Sequence, residues 1–218
     1  MAIIVPFRNR EEHLSIFIPY MHRFLGKQYD FKIIVVEQCD NRKFNKGTLM
    51  NIGFDIMKNK CDYFCFHDID LLPIENSNYD PVDCPTHLCA RLDYYNWVPL
   101  YENAFGGVVI FNREDFIKVN GFSNDLWGWG CEDDDMFYRC VRENLRVERR
   151  WNSYKGIPHV KAERFGEEHL ENRDKLLKFR DDSNNYGHRQ DGLSNLKYKI
   201  LSKTNYADPS YLFVKTLF

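Results

Sequence analysis

The chain has 218 residues, 44% of them hydrophobic and 28% charged, with a formal net charge of −2. That length and balance suit a globular chain with a sizeable core, and they give no footing for nucleic acid or an anionic membrane as the main partner. Aromatic residues reach 16%, a share that suits stacking on sugar rings and suits a plain core equally well.

No window approaches roughly eighteen uninterrupted apolar residues, so no transmembrane helix is expected. Met1-Ala2-Ile3-Ile4-Val5 runs directly into a strand, without the basic segment and long apolar stretch of a signal peptide. Most of the seven cysteines, an odd set with no Cys-x-x-Cys pair, read as buried thiols rather than a zinc site, and no Asn-x-Ser/Thr acceptor occurs. A cytoplasmic chain is expected on these grounds, although a luminal chain trimmed of its leader would carry the same signals.

Ala2 to Pro6 reads as a first buried strand that delivers Arg8 and Arg10 at its C-terminal end. From Glu11 to Leu25, apolar Leu14, Phe17, Ile18, Met21 and Leu25 mark one helix face, with Pro19 the blemish. Phe31 to Gln38 is a β-branched second strand, Asn45 to Met57 a second helix and Cys61 to Phe66 an aromatic third strand. This alternation predicts a parallel sheet with helices on its faces and ligands beyond the carboxyl ends of its strands. Arg8, Arg10 and the acids after the third strand are expected to meet there.

Pro73 to Pro85 is polar and predicts a loop, and Phe105 to Phe111 a strand introduced by two glycines. Glu114 to Val119 predicts a short helix and Glu132 to Asn144 a longer one. Residues 151–190 are charged and irregular, with weak helical periodicity around Leu170 to Phe179; Tyr211 to Val214 reads as a final strand or a docking edge. No repeat or linker divides the chain, so one domain is expected.

Three constellations carry chemistry. Asp68 and Asp70 follow an apolar strand, and a period of two aims them the same way. Two such carboxylates repel each other unless a cation or arginine lies between them, and a hard divalent ion such as Mn²⁺ or Mg²⁺ resolves that repulsion. Next comes Trp127-Gly128-Trp129-Gly130, followed after Cys131 by Glu132, Asp133, Asp134 and Asp135. The four acids have two readings: a match to a helix dipole, each worth ~0.3–1 kcal/mol, or groups that grip a sugar and remove its hydroxyl proton. Finally, Arg8, Arg10 and Lys46 lie at predicted element ends, suited to phosphate oxygens or to ordinary surface pairing. Among the histidines, His159 follows a predicted strand and is expected to approach the same crevice.

Taken in order, these motifs resemble the β1,4-galactosyltransferase family. The resemblance rests on Val5-Pro6-Phe7-Arg8-Asn9-Arg10, Phe44-Asn45-Lys46, Leu49-Met50-Asn51-Ile52-Gly53-Phe54 and His67-Asp68-Ile69-Asp70-Leu71-Leu72-Pro73. It continues through Phe105-Gly106-Gly107-Val108, Asn120-Gly121-Phe122, Trp127-Gly128-Trp129-Gly130 with Glu132-Asp133-Asp134, and Asp191-Gly192-Leu193-Ser194-Asn195-Leu196-Lys197-Tyr198. It implies a GT-A fold, an α/β sandwich around a mainly parallel central sheet, and an inverting, Mn²⁺-dependent transferase. It further implies a single domain over 1–218, with a nucleotide-binding part at 1–72 and an acceptor and catalytic part at 100–200.

By the same resemblance, Pro6, Phe7, Arg8, Arg10, Phe44, Lys46, Asp68, Gly107 and Trp129 hold the UDP-sugar donor. Asp70 and His159 bind the metal, with Mg²⁺ as the substitute for Mn²⁺. Trp129, Glu132, Asp133 and Asp134 hold the saccharide acceptor, and Asp133 is the catalytic base. The expected donors are UDP-galactose and UDP-N-acetylgalactosamine. Three departures stand out. Lys46 replaces the family's arginine, keeping the charge but losing the bidentate fork. Gly156 and Lys161 occupy positions where relatives carry Met and a second His, leaving water or His169 to complete the metal shell. Ala104 stands where galactose-using relatives carry tyrosine, which makes room for a 2-acetamido group. The rival readings are a glycan-binding protein of the same fold without turnover and a metal-dependent phosphohydrolase.

Overall fold

A computed structural model describes residues 1–26, 28–74, 77–99, 101–158, 166–181, 187–207 and 209–218. The chain opens with β1 (Ala2–Phe7), α1 (Glu11–Leu25), β2 (Lys32–Gln38), α2 (Lys46–Met57) and β3 (Tyr63–His67). Short strands follow: β4 (Leu71–Pro73), β5 (Thr86–His87) and β6 (Arg91–Leu92), then β7 (Val108–Asn112) and α3 (Arg113–Lys118). The remainder is α4 (Glu132–Arg142), β8 (Glu148–Arg149), β9 (Ser153–Gly156), α5 (Glu167–Asp181) and the hairpin β10 (Lys199–Ala207) and β11 (Ser210–Leu217).

Eight strands form one sheet in the order β10-β11-β2-β1-β3-β7-β5-β8. The middle four, β11, β2, β1 and β3, are mutually parallel, while β10 and β7 flank them antiparallel. The α/β architecture around a mostly parallel centre therefore stands as expected. In β1, Ala2 and Ile4 pack with α2, α3 and α4, whereas Ile3 and Val5 pack with α1. A period of two sends alternate side chains to opposite faces, and both faces are covered, which is why β1 reads as a continuous apolar run. Gly53 of α2 lies against β1 so closely that a Cβ there would overlap Ile4.

Pro19 does not break α1, which continues to Leu25. The run Tyr211 to Val214 is no docking edge: it lies inside the sheet, parallel to β2, and β10 takes the edge. Residues 151–190 are more regular than their sequence suggests, containing β9 and α5. A separate sheet, β4-β9-β6, was not foreseen, because strands of two to four residues leave no readable periodicity.

The Asp191 segment has a structural task. Asp191 accepts from Ser123 Oγ at 2.5 Å and from Asn124 N at 2.9 Å, and its carbonyl accepts from Arg139 Nη1 at 2.7 Å. Arg139 is 1% exposed and pairs with the fully buried Asp135 at 2.6 Å. This network staples α4 to the turn after α3, and it fixes the helix whose first turn carries the acids. All seven cysteines are free thiols, and five of them are buried.

Candidate active site

Beyond the carboxyl ends of the parallel strands lies a cavity of about 590 Å³. Its described lining includes Arg10, Lys46, Asp68, Asp70, Ala104, Gly106, Gly107, Trp129, Glu132, Asp133 and Asp134. Residues separated by more than a hundred positions thus converge on one space.

Each arrives for a local reason. β3 ends at His67, so Asp68, Ile69 and Asp70 form a turn, with Leu71 N donating to Asp68 O at 3.3 Å. A strand period therefore does not aim the two acids; the turn does, and both still reach the cavity. Asp68 N donates to Gly107 O at 2.9 Å, so the β3–β7 ladder sets Gly107 opposite Asp68. Gly107 has φ +79°, which a glycine adopts without a Cβ penalty. Asn45 caps α2 by accepting from Thr48 N at 2.8 Å, and its own N–H donates to Gln38 Oε1 at the end of β2. That cap places Lys46 at the first position of α2.

Lys46 Nζ bridges Asp68 Oδ1 at 2.7 Å and Glu132 Oε1 at 3.2 Å. Burial alone would lower its pKa, but the Asp68 and Glu132 charges outweigh that and raise it. Asp68 is pushed up to about 6 by burial and by Asp70, against the pull of Lys46. Asp133 is pushed up to about 7 by burial and by its neighbours Glu132 and Asp134, again opposed by Lys46. A carboxylate poised near 7 matches the requirement for proton abstraction at neutral pH. Gly106 gives this carboxylate its space, since a Cβ there would lie 2.5 Å from Asp133 Oδ2.

The four-acid run divides by role. Asp135 is committed to Arg139, and Asp134 Oδ1 accepts from Tyr101 Oη at 2.8 Å. Glu132 holds Lys46, which leaves Asp133 with the Asp134 N–H on Oδ1 at 2.9 Å. The helix-dipole account alone does not explain this division, because the four acids have separate partners.

Five carboxylates line the described wall against two permanent cations, Arg10 and Lys46. The unbalanced charge, the hard oxygen donors, and the burial and repulsion from Asp70 that together raise Asp68 fit a divalent cation beside Asp70. Among the described residues no three His, Cys, Asp or Glu side chains form a metal cluster. His159 and Lys161 lie outside the described residues. His169 lines the cavity on the tryptophan side, its ring 5.5 Å from that of Trp129. Gly156 has no room for a side chain, because the Tyr94 ring fills the space a Cβ would take.

The remaining expected donor residues are more dispersed. The Phe7 ring is 2% exposed and packs edge-on against Phe213, so only its backbone is left for a ligand. Pro6 is likewise buried in β1. Arg8 donates to Arg42 O at 2.7 Å, and its guanidinium lies 5.2 Å from the Phe44 ring centre. Neither Arg8 nor Phe44 lines the cavity, whereas Arg10 does. Sequence reasoning missed Tyr94, Tyr95, Tyr101, His87 and Cys89, all of them in the lining. The aromatic density of residues 94–101 was the available signal.

Two family descriptions match consecutive parts of the chain: the N-terminal region of glycosyl transferase group 7 over residues 1–84, and the N-terminal domain of galactosyltransferase over 86–163. The catalytic domain of Drosophila β1,4-galactosyltransferase 7, solved with xylobiose, superposes with a TM-score of 0.82 at 31% identity, covering 100% of this chain and 93% of that one. The chain belongs to the β1,4-galactosyltransferase family. Among curated β1,4-galactosyltransferases, the Mus musculus enzyme 1 is 36% identical over 94% of this chain, and the human enzyme 6 is 40% identical over 91%. The chain spans about half the length of these relatives, 52% of each. Among the described residues no helix is long and apolar enough to cross a membrane.

Proposed function

We propose that this β1,4-galactosyltransferase relative transfers galactose or N-acetylgalactosamine from a UDP-sugar to a saccharide hydroxyl, with inversion to a β-linkage, in a single domain. The observation that carries the reading is Asp133, a carboxylate raised to about 7 in the same cavity as Lys46, Asp68 and Asp70. Support comes from a second Drosophila β1,4-galactosyltransferase 7 structure, a mutant solved with manganese, UDP-Gal and xylobiose, at 29% identity and TM-score 0.82.

The donor lies across the carboxyl ends of β1 and β3. The backbone of Pro6 and Phe7, with Arg8, Arg10 and Phe44, takes the nucleotide and diphosphate. Lys46 and Asp68 border the sugar–phosphate junction, and Gly107 lets the donor approach the β3–β7 ladder. Asp70 and His159 would hold the divalent cation, Mn²⁺ with Mg²⁺ as its substitute, and the ion would supply positive charge beside the diphosphate of the leaving group. Trp129, Glu132, Asp133 and Asp134 hold the acceptor. Asp133 takes the proton from the acceptor hydroxyl while that oxygen attacks the anomeric carbon, and the bond to the UDP oxygen breaks on the opposite face. One displacement of this kind inverts the centre without a covalent sugar–enzyme intermediate. Ala104, whose small side chain borders the cavity, leaves space for a 2-acetamido group.

Calorimetry of UDP-galactose and UDP-N-acetylgalactosamine, each with and without Mn²⁺, tests the donor site. Binding that depends on Mn²⁺ and is lost in Asp70→Ala is expected, followed by transfer to probe acceptors such as xylobiose. Metal-independent binding, or no binding by either donor, would overturn the reading. Strict use of UDP-galactose would overturn the role given to Ala104.

A further inference from the structure

Trp129 stands 42% exposed on a turn that its own sequence does little to hold. Gly128, Gly130 and Cys131 have φ of +80°, +99° and +72°, a left-handed cluster that side-chain-bearing residues avoid. Helix α5 supplies the restraint. The Asn172 side chain, 2% exposed, donates from its amide to Trp127 O at 3.0 Å and to Gly130 O at 3.1 Å, and so brackets Trp129 from both ends. Glu168 Oε2 accepts from Trp129 N at 3.1 Å. The glycines make room for this helix: a Cβ on Gly128 would overlap Glu168, and one on Gly130 would lie 2.6 Å from His169 Nδ1. On its other side the turn is tied to donor-side residues, with Gly128 N donating to Phe44 O at 2.7 Å and Arg42 lying 4.5 Å over the Trp127 ring.

We infer that Asn172 is a positioning residue for sugar transfer, setting Trp129 at the border of the donor and acceptor halves of the cavity through the carbonyls of Trp127 and Gly130. The inference rests on the transferase reading above. A polar side chain buried this deeply, with both carbonyls of one turn as its acceptors, specifies that turn's geometry and not merely its burial.

The test is Asn172→Asp, which keeps the shape and removes both donors, measured alone and in a Trp129→Phe background. Two readouts are used. The first is acrylamide quenching of Trp129, taken as the difference between proteins with and without the Trp129→Phe change. The second is kcat and acceptor KM for xylobiose with UDP-galactose and Mn²⁺. Expected are a quenching constant raised about twofold and a kcat lowered about tenfold, with UDP affinity within twofold of wild type. In the Trp129→Phe background the Asn172→Asp effect on kcat should vanish, because two residues acting through one contact are non-additive. Unchanged quenching and kcat, or a kcat loss that persists without Trp129, would overturn the inference. A wild-type protein that transfers no sugar overturns the transferase reading instead, and the quenching readout still judges the bracket.

Discussion

Gly106→Ala tests where the base stands. A Cβ at this position would lie 2.5 Å from Asp133 Oδ2 and 3.3 Å from Cγ, whereas ordinary contact begins at 3.4 Å. The carboxylate oxygen must therefore retreat by roughly 0.9 Å, the difference between 3.4 and 2.5 Å. Helix α4 is held as a body by Arg139, which donates to Gly121 O at 3.0 Å and to Asp191 O at 2.7 Å, so the Asp133 side chain has to rotate. The new methyl leaves the His87 Nε2 to Gly106 O hydrogen bond of 2.8 Å in place. A reacting group displaced by about 1 Å costs on the order of 10²-fold in rate. The assay is UDP release with saturating UDP-galactose and acceptor, alongside UDP affinity and thermal melting as controls. A kcat lowered about a hundredfold with UDP affinity nearly unchanged is expected. A kcat within threefold of wild type in a properly folded variant would refute the placement of Asp133 as the base.

Other expectations follow from the same electrostatics and packing. Asp133 must be ionised to accept a proton, so kcat/KM of the free enzyme should fall as pH drops below about 7. Lys46→Met, by removing the cation that lowers Asp133, should move that limb to higher pH; a limb that stays put would separate Lys46 from the base. A raised carboxylate pKa means stability is lost as pH climbs from the unfolded value near 4 through the folded one near 7. Asp133→Asn should thus abolish transfer yet raise the melting temperature at pH 8 by roughly 2–4 °C, and a lowered melting temperature would contradict the burial argument. Arg139→Met strands the buried Asp135 and should cost about 3–5 kcal/mol in urea unfolding; a loss under about 1 kcal/mol would show that the network carries little.

Much of the fold and part of the site were legible in the sequence, for physical reasons that particular residues show. The apolar run of β1 is continuous because both sheet faces are covered, and a continuous β-branched run announces a buried parallel strand. Asn45 to Met57 was legible as the helix that became α2, since helical tendency is a local property, whereas the cap that Asn45 makes to Thr48 N came from the structure. Family motifs, spread along most of the chain, named the acids and the arginines. The tertiary structure alone decided which of those residues act together. Asp68 and Asp70 converge through a turn and not a strand period. Asp135 looks like its neighbours in sequence, yet it differs from them because Arg139 reaches it from the next turn of α4 and Asp191 arrives from far along the chain. The raised pKa of Asp133 belongs to no residue by itself: it is a sum over burial, two adjacent acids and one lysine, and that sum exists only once the chain has folded.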